Sequence, residues 1–454
     1  METQKIKSYS KKNLMTEGSV FKSIILFSIP LILGNFLQQM YNAVDSIIVG
    51  NYIGSDGLAA VGSSTPLISL LISFSIGIST GAGIIIAQFL GAKDKDKVQI
   101  SVHTALGISV VLGLILSVVG VIYTPKILTL MKTPQNVMSE SVIYMKIYSF
   151  GLVFSIIYNM GAGILNAAGN SKQPLYYLAI ASFLNIFLDL FFIEFMKMGV
   201  AGAAIATNIC QFISCVLIFR FLIKSKEDYK VFLKRIEIQK DMAIKIIKIG
   251  LPTGIQNTVI SFSNVLVQSS VNSFGSLAMA GFGAYLKIDG FNILPILSLS
   301  IAITTFTGQN YGAKKIERIK KGVLITLLLG IVYTIILGIT LLYFSKFFMK
   351  IFTSNEEVIE YGILAMKYFC PFYFLLSILQ VLSGAIRGVG KTVPPMIILL
   401  ISLCLFRVIW IQIAIPMFKT IESVYILYPI SWGIGAFIII LYTWKGSWKN
   451  KLRE

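Results

Sequence analysis

Two carboxylates lie inside segments that otherwise lack charge, and each has polar neighbours at helical spacing. Asp189 follows Asn185 by one turn in LNIFLDLFFIEF. Asp45 ends a stripe with spacings of three, four and three residues, which lies on one helix face and comprises Asn35, Gln38, Asn42 and Asp45. A carboxylate at the centre of a bilayer costs about 2.5–3.5 kcal/mol on insertion scales. Two neighbouring carboxylates either bind a hard cation through their oxygens or share a proton, because ionising both is expensive.

A second polar stripe occurs later in the chain, with spacings of four, three and four residues. It consists of Asn257, Ser261, Asn264 and Gln268. Interhelical hydrogen bonding alone would account for one such stripe, but two related stripes predict a water-filled cavity between two halves of the protein. Tyr41 lies beside the first stripe and offers a cation a π face. The predicted cavity residues are Asn35, Gln38, Tyr41, Asn42, Asn257, Ser261 and Asn264.

The composition is that of a membrane protein. The chain has 454 residues, of which 56% are hydrophobic and 13% charged, with a mean hydropathy of +0.81, whereas soluble domains carry about 25% charged residues. Twelve apolar runs reach the length of about 20 residues that a spanning helix needs: 24–48, 58–82, 99–122, 137–160, 174–196, 199–222, 243–270, 280–304, 320–344, 358–382, 394–416 and 423–444.

The net charge of +19 follows this topology. Most Lys and Arg residues lie on the same side of the membrane as both termini in the predicted topology. The positive-inside rule makes this side cytoplasmic. This surplus indicates contact with anionic membrane lipids and gives no reason to invoke nucleic acid. The expected location is the bacterial cytoplasmic (inner) membrane, with the protein a monomer and both termini cytoplasmic.

The chain repeats itself at an offset of 221 residues. AQFLGAKDKDK (87–97) is echoed by GQNYGAKKIER (308–318), and GILNAAGNSKQP (163–174) by GAIRGVGKTVPP (384–395). Each half begins in the same orientation, so the sequence predicts a parallel duplication of the kind that supports alternating access. We expect two six-helix lobes, 1–222 and 243–454, joined by a basic cytoplasmic linker, 223–242.

The acids break this symmetry. Val267 stands at the position equivalent to Asp45, and Trp410 at the position equivalent to Asp189. Asn185 is likewise matched by Phe406. The candidate ion site therefore belongs to the N-terminal lobe alone.

Other polar residues in the spans carry weaker hypotheses. Pro30 removes one helical hydrogen bond, so it predicts either a static kink or a bend that responds to the charge of Asp45. Lys287, Asp289 and Arg407 lie within C-terminal spans, and charges this deep are usually paired. A structural network is therefore favoured over substrate binding there, with Asp289 the second-choice acid for a substrate cation.

Two enzymatic interpretations fail on the sequence. AIRGVGKT (385–392) fits a relaxed phosphate-loop pattern, but it is a turn between apolar spans without the preceding strand that such a loop needs. One histidine and four scattered cysteines supply no metal or nucleophile constellation. We therefore expect no enzymatic activity, no use of ATP and no cofactor.

The chain resembles the multidrug and toxic compound extrusion (MATE) family, in particular its prokaryotic DNA-damage-inducible (DinF-like) branch. The resemblance rests on the twelve-span two-lobed plan, PLILGNFLQQMYNAVD (30–45), NIFLD in the fifth span and the duplicated G-A-K loops. It implies a secondary antiporter that exports cationic or amphipathic organic compounds in exchange for H⁺ or Na⁺. It also implies a bend at Pro30 and an ion site formed by Asp45, Asn185, Asp189 and Thr207.

The main alternative is a lipid-linked precursor flippase of the same superfamily. It calls for a cationic central cavity, and only Lys146 and Lys367 form a symmetric basic pair deep in the spans. The sequence leaves the coupling ion and the substrate open.

Overall fold

The computed structural model describes residues 15–131 and 133–445, which form helices and connecting turns without a strand. The first six helices are α1 (Val20–Tyr52), α2 (Ser55–Ala92), α3 (Lys95–Leu130), α4 (Gln135–Ala167), α5 (Lys172–Asp189) and α6 (Gly199–Lys224). The remaining ones are α7 (Lys240–Asn272), α8 (Ser276–Gly312), α9 (Ile316–Tyr343), α10 (Ser345–Lys350), α11 (Glu356–Phe369), α12 (Tyr373–Gly388), α13 (Val393–Leu400), α14 (Phe406–Phe418), α15 (Glu422–Tyr425) and α16 (Leu427–Lys445).

The all-α polytopic fold is confirmed. Within the described ranges, eleven helical segments are long and apolar enough to cross a membrane. The one predicted span that is not among these eleven is the seventh, 243–270. It corresponds to α7, which has 33 residues but carries the second polar stripe and several lysines. Two spans contain a wider π-helical turn, Leu190–Phe195 after α5 and Ile401–Leu405 between α13 and α14.

The backbone repeats at the predicted offset. Gly54 and Gly275 precede α2 and α8 with φ of 98° and 99°, a region that glycine adopts without strain. Lys93 and Lys314 follow the same two helices in the left-handed region, with φ of 59° and 57°. The two halves of the chain therefore turn at equivalent places. The lobe boundaries themselves stay a prediction.

Interhelical hydrogen bonds repeat as well. The Ser79 hydroxyl donates to the Asn159 carbonyl at 2.7 Å, joining α2 to α4. Its counterpart, the Ser300 hydroxyl, donates to the Gln380 carbonyl at 2.8 Å, joining α8 to α12. The same polar contact thus fixes a helix pair inside each half.

The two halves meet at one end of the bundle, the end where the linker lies, which we call the linker face. There α2 packs against α7 and α8. The backbones approach so closely that a Cβ at Gly77 would overlap Gly254, and one at Gly81 would overlap Gly250. Toward the opposite face, seven of the twelve residues 36–47 of α1 are exposed, while Phe36 still contacts Phe291 of α8, with ring centroids 5.3 Å apart.

The linker is docked onto α3 by buried polar contacts. His103, 4% exposed, accepts a hydrogen bond from the Phe232 amide through Nε2 at 3.0 Å, and its Nδ1 donates to the Gln99 carbonyl at 2.7 Å. The Gln99 side chain in turn donates to the Lys230 carbonyl at 3.1 Å. The linker therefore covers the only histidine of the chain.

Replacing His103 by alanine should loosen the linker. The Phe232 amide would lose its hydrogen-bond acceptor, and the Phe232 ring would lose its stacked partner. A loss of about 1–1.5 kcal/mol should raise the fraction of time that the linker is detached from α3 about tenfold. Limited trypsin digestion should then cleave faster after Lys230, Lys234 or Arg235. Lys97→Ala is the control, because it removes an exposed pairing with Asp94 and a contact with the Phe89 ring but nothing from the linker. Equal cleavage rates in both variants would contradict this docking role.

Candidate functional site

Asp45 of α1 and Asp189 of α5 meet inside the N-terminal half. Their carboxyl groups are close enough to interact electrostatically, and Asp189 has no exposed surface. Asp189 is the last residue of α5, and a π-helical turn begins directly after it. Such wide turns occur often at functional sites. The structure therefore brings together the two acids that sequence analysis singled out.

The polar atoms around this pair lack partners. Among the described residues, neither carboxyl oxygen of Asp189, neither amide atom of Asn185 and not Oδ1 of Asp45 has a partner in hydrogen-bond geometry. Asn185 is only 1% exposed. Buried polar groups are normally satisfied, and each one left unpaired costs about 1–3 kcal/mol. A proton held between the acids, or a cation bound by their oxygens, would remove this cost.

Thr207 and Tyr41 complete one side of the site. The Thr207 hydroxyl, on α6, lies 3.3 Å from the Tyr41 hydroxyl on α1. Thr207 is 5% exposed. Tyr41 also lies near both acids, so its hydroxyl links Thr207 to the pair. The four-residue ion site stays a prediction, and Tyr41 belongs to this cluster in addition to the predicted cavity wall.

Replacing Tyr41 by phenylalanine should have a modest effect on this cluster. It removes one neutral hydrogen bond of about 1 kcal/mol, so the ion concentration for half-maximal transport should shift about fivefold while the maximal rate changes little. Transport rates measured over a range of pH and of Na⁺ concentration check this. Tyr52→Phe, at an exposed ring on the same helix, is the matched control; a full loss of transport in Tyr41→Phe would contradict this minor role.

Sequence analysis missed two tyrosines of α4. Tyr144 and Tyr148 are buried, with ring centroids 6.3 Å apart, and both lie near Asp45. Their spacing of four residues places them on one helix face. In a chain with 20 tyrosines, that spacing alone gave no reason to select them.

The first polar stripe reaches from this site toward the other half. The Asn35 amide donates to the Ser298 hydroxyl of α8 at 3.2 Å. Gln38 and Asn42 of the same stripe are exposed. Pro30, on the linker side of the stripe, is buried inside a helix that continues past it.

The second stripe is tied into the C-terminal half. Ser261 donates to the Asn257 carbonyl of its own helix at 3.0 Å, and both residues are partly buried. The Asn264 side-chain oxygen accepts from Nη1 of Arg407 at 3.1 Å. Asn264 therefore holds a buried guanidinium.

The C-terminal charges are not paired with each other, contrary to expectation. The ion pairs among residues 15–131 and 133–445 include none with Lys287, Asp289 or Arg407. Neutral partners replace them. Tyr373 donates to Asp289 at 2.5 Å, Arg407 also donates to Ser431 and lies 4.4 Å from the Tyr428 ring centroid, and Lys287 lies 5.9 Å from the Phe352 ring centroid.

The chain is similar to known proteins over almost its whole length. The sequence model of the MatE family matches residues 30–191 and 252–411, the two halves of the duplication. The chain belongs to the MatE family. It is 30% identical to the probable multidrug resistance protein YoeA of Bacillus subtilis, over 99% of this chain and 98% of that one.

Two further comparisons agree with this MatE assignment. The probable multidrug resistance protein NorM of Thermotoga maritima is 27% identical over 87% of this chain and 86% of its own. The solved outward-facing conformation of a multidrug resistance MATE family transporter of the MOP superfamily superposes with a TM-score of 0.91, at 23% identity, over 99% of this chain and all of that one. The MatE family is a family of membrane transporters, and the last likeness fixes the fold of this member.

Proposed function

We propose that this MatE protein is a secondary active multidrug efflux antiporter that exports cationic or amphipathic organic compounds in exchange for H⁺ or Na⁺. The observation that carries the proposal is the pair of Asp45 and Asp189 inside the N-terminal half, whose buried oxygens lack hydrogen-bond partners among the described residues. Multidrug relatives that align over nearly the full length support it.

The proposed cycle uses the charge of the pair. In the conformation with the cleft open opposite the linker face, H⁺ or Na⁺ enters the site of Asp45, Asn185, Asp189 and Thr207. Binding neutralises the acid that borders the cleft, and so weakens the attraction for a substrate cation near Asn35, Gln38 and Asn42. By linkage, ion and substrate compete only as far as each changes the other's binding free energy.

Pro30 and Asp289 have supporting roles in this proposal. Pro30 lets α1 bend when the charge of Asp45 changes, because its missing amide hydrogen leaves one helical carbonyl unbonded. Asp289 is the only acidic residue of α8 and remains the second-choice acid for a substrate cation. The protein needs no cofactor, acts as a monomer in the bacterial inner membrane, and has the linker face with both termini in the cytoplasm, near anionic lipids.

The test uses proteoliposomes of the wild-type protein that contain a pH-sensitive dye or, for the Na⁺ assay, a Na⁺-sensitive dye. A proton gradient is imposed, ethidium is added, and the assay is repeated with a Na⁺ gradient. Counterflow of protons or Na⁺ on addition of ethidium would support antiport and identify the ion. If no cation moves under either gradient, the antiporter proposal fails, and movement of a lipid-linked pyrophosphate in the same vesicles would establish the flippase alternative.

A further inference from the structure

The duplicated G-A-K segments meet at the linker face and bond to each other's lobes. Gln88, at the end of α2, donates to the Gly388 carbonyl of α12 at 2.9 Å. Gln309, at the end of α8, donates to the Ala167 carbonyl of α4 at 2.7 Å. The two donors are 221 residues apart, and so are the two acceptors. Each half therefore supplies one glutamine and one carbonyl to a reciprocal pair of hydrogen bonds.

The backbones between these bonds are in contact. A Cβ at Gly91 would overlap the Gln309 carbonyl, and one at Gly312 would overlap the Gln88 carbonyl. Glycine at these two positions lets α2 and α8 approach until the glutamines reach across. We call this contact between the ends of α2 and α8 the seam. The Gln309 side chain also accepts a hydrogen bond from the Met15 amide at 2.6 Å, so the chain segment before α1 is held at the seam as well.

The closed seam also buries polar atoms that lack partners in the part of the chain that is described. Oδ1 of Asn166 and Nε of Arg387 are unpartnered, and these two residues directly precede the two acceptor carbonyls. Oδ1 of Asn310 is in the same state. Water would satisfy these atoms once the halves separate, which offsets part of the cost of breaking the glutamine bonds. This balance suits an interface that opens and closes, rather than a permanent core.

We infer that Gln88 and Gln309 are the latch that holds the linker face closed, and that inward opening of the cleft begins by breaking this reciprocal pair. The inference rests on the proposed transport function for its purpose, but the latch is a property of the conformational equilibrium. Each glutamine is a positioning residue: it sets how often the seam opens and contacts neither ion nor substrate.

The test is the rate at which a buried seam cysteine reacts. Ala87, which has no exposed surface and faces Gly308 of the other half, is replaced by cysteine after the four native cysteines are replaced by serine. A charged maleimide is added to the protein in lipid nanodiscs, without substrate or ion gradient. Gln88→Ala and Gln309→Ala should each speed labelling about two- to tenfold, as loss of one hydrogen bond predicts, and the double variant should exceed either.

Ser79→Ala is the matched control, because it removes a bond of the same kind within one half and should leave the rate unchanged. Gly91→Ala is a second test that leaves both glutamines in place. Its methyl group would overlap the Gln309 carbonyl, so it should hold the halves apart and raise the labelling rate. Labelling that is unchanged or slower in both glutamine variants overturns the latch. Since no transport is measured, this result stands whether or not the protein carries ethidium.

Discussion

Asp45→Asn should abolish ion counterflow driven by an organic cation. The amide keeps the shape of the side chain but can neither be neutralised by a proton nor supply a charged ligand to Na⁺. The coupling between ion and substrate, about 3 kcal/mol at the upper end of the usual range, would be lost, which corresponds to about a 100-fold fall in coupled flux. The measurement is dye-reported flux in proteoliposomes under proton and Na⁺ gradients.

A matched acid in the other half controls for general damage. Asp289→Asn replaces an acid that accepts a hydrogen bond from Tyr373 and lies outside the N-terminal cluster. Ion counterflow should persist in it, although uptake of particular substrates changes. The opposite pattern, with full coupling in Asp45→Asn and none in Asp289→Asn, would move the ion site to the C-terminal half.

The twelve spans, the duplication and the N-terminal acids were predictable from the sequence because each leaves a local signal. Charges inside apolar runs stand out, and the 221-residue offset is visible in the glycine and lysine positions of the two G-A-K segments. The prediction that Asp45, Asn185, Asp189 and Thr207 lie together needed the family resemblance as well. No periodicity in α1, α5 or α6 states which faces of those three helices meet.

What escaped prediction depends on contacts between distant parts of the chain. Opposite charges in the C-terminal spans suggested ion pairs, yet tyrosine and asparagine side chains 84 and 143 residues away satisfy Asp289 and Arg407 instead. The repeat showed that Gln88 and Gln309 are equivalent but not that they bond across the seam. That requires knowing that the ends of α2 and α8 meet between the halves, which an offset alone does not specify.

Asp189→Asn should cost as much coupled flux as Asp45→Asn, and the double variant should cost little more. In the proposed site the two carboxyls share one ion. Either amide would then destroy the same unit, and effects within one unit are far from additive. A cation held by both acids would lose half of its charged ligands, and a shared proton would lose one of its two sites. The measurement compares ion counterflow in the two single variants and the double variant at equal protein per vesicle.

Independent roles for the two acids would give a different pattern. If Asp189 were only a structural neighbour, Asp189→Asn would retain most of the flux, and the double variant would match Asp45→Asn alone. If the acids bound separate ions, the losses would multiply. Thermal unfolding of each variant separates these cases from misfolding. Removing a buried, unpartnered carboxylate relieves a desolvation cost, so Asp189→Asn should leave the melting temperature equal or higher while flux is lost.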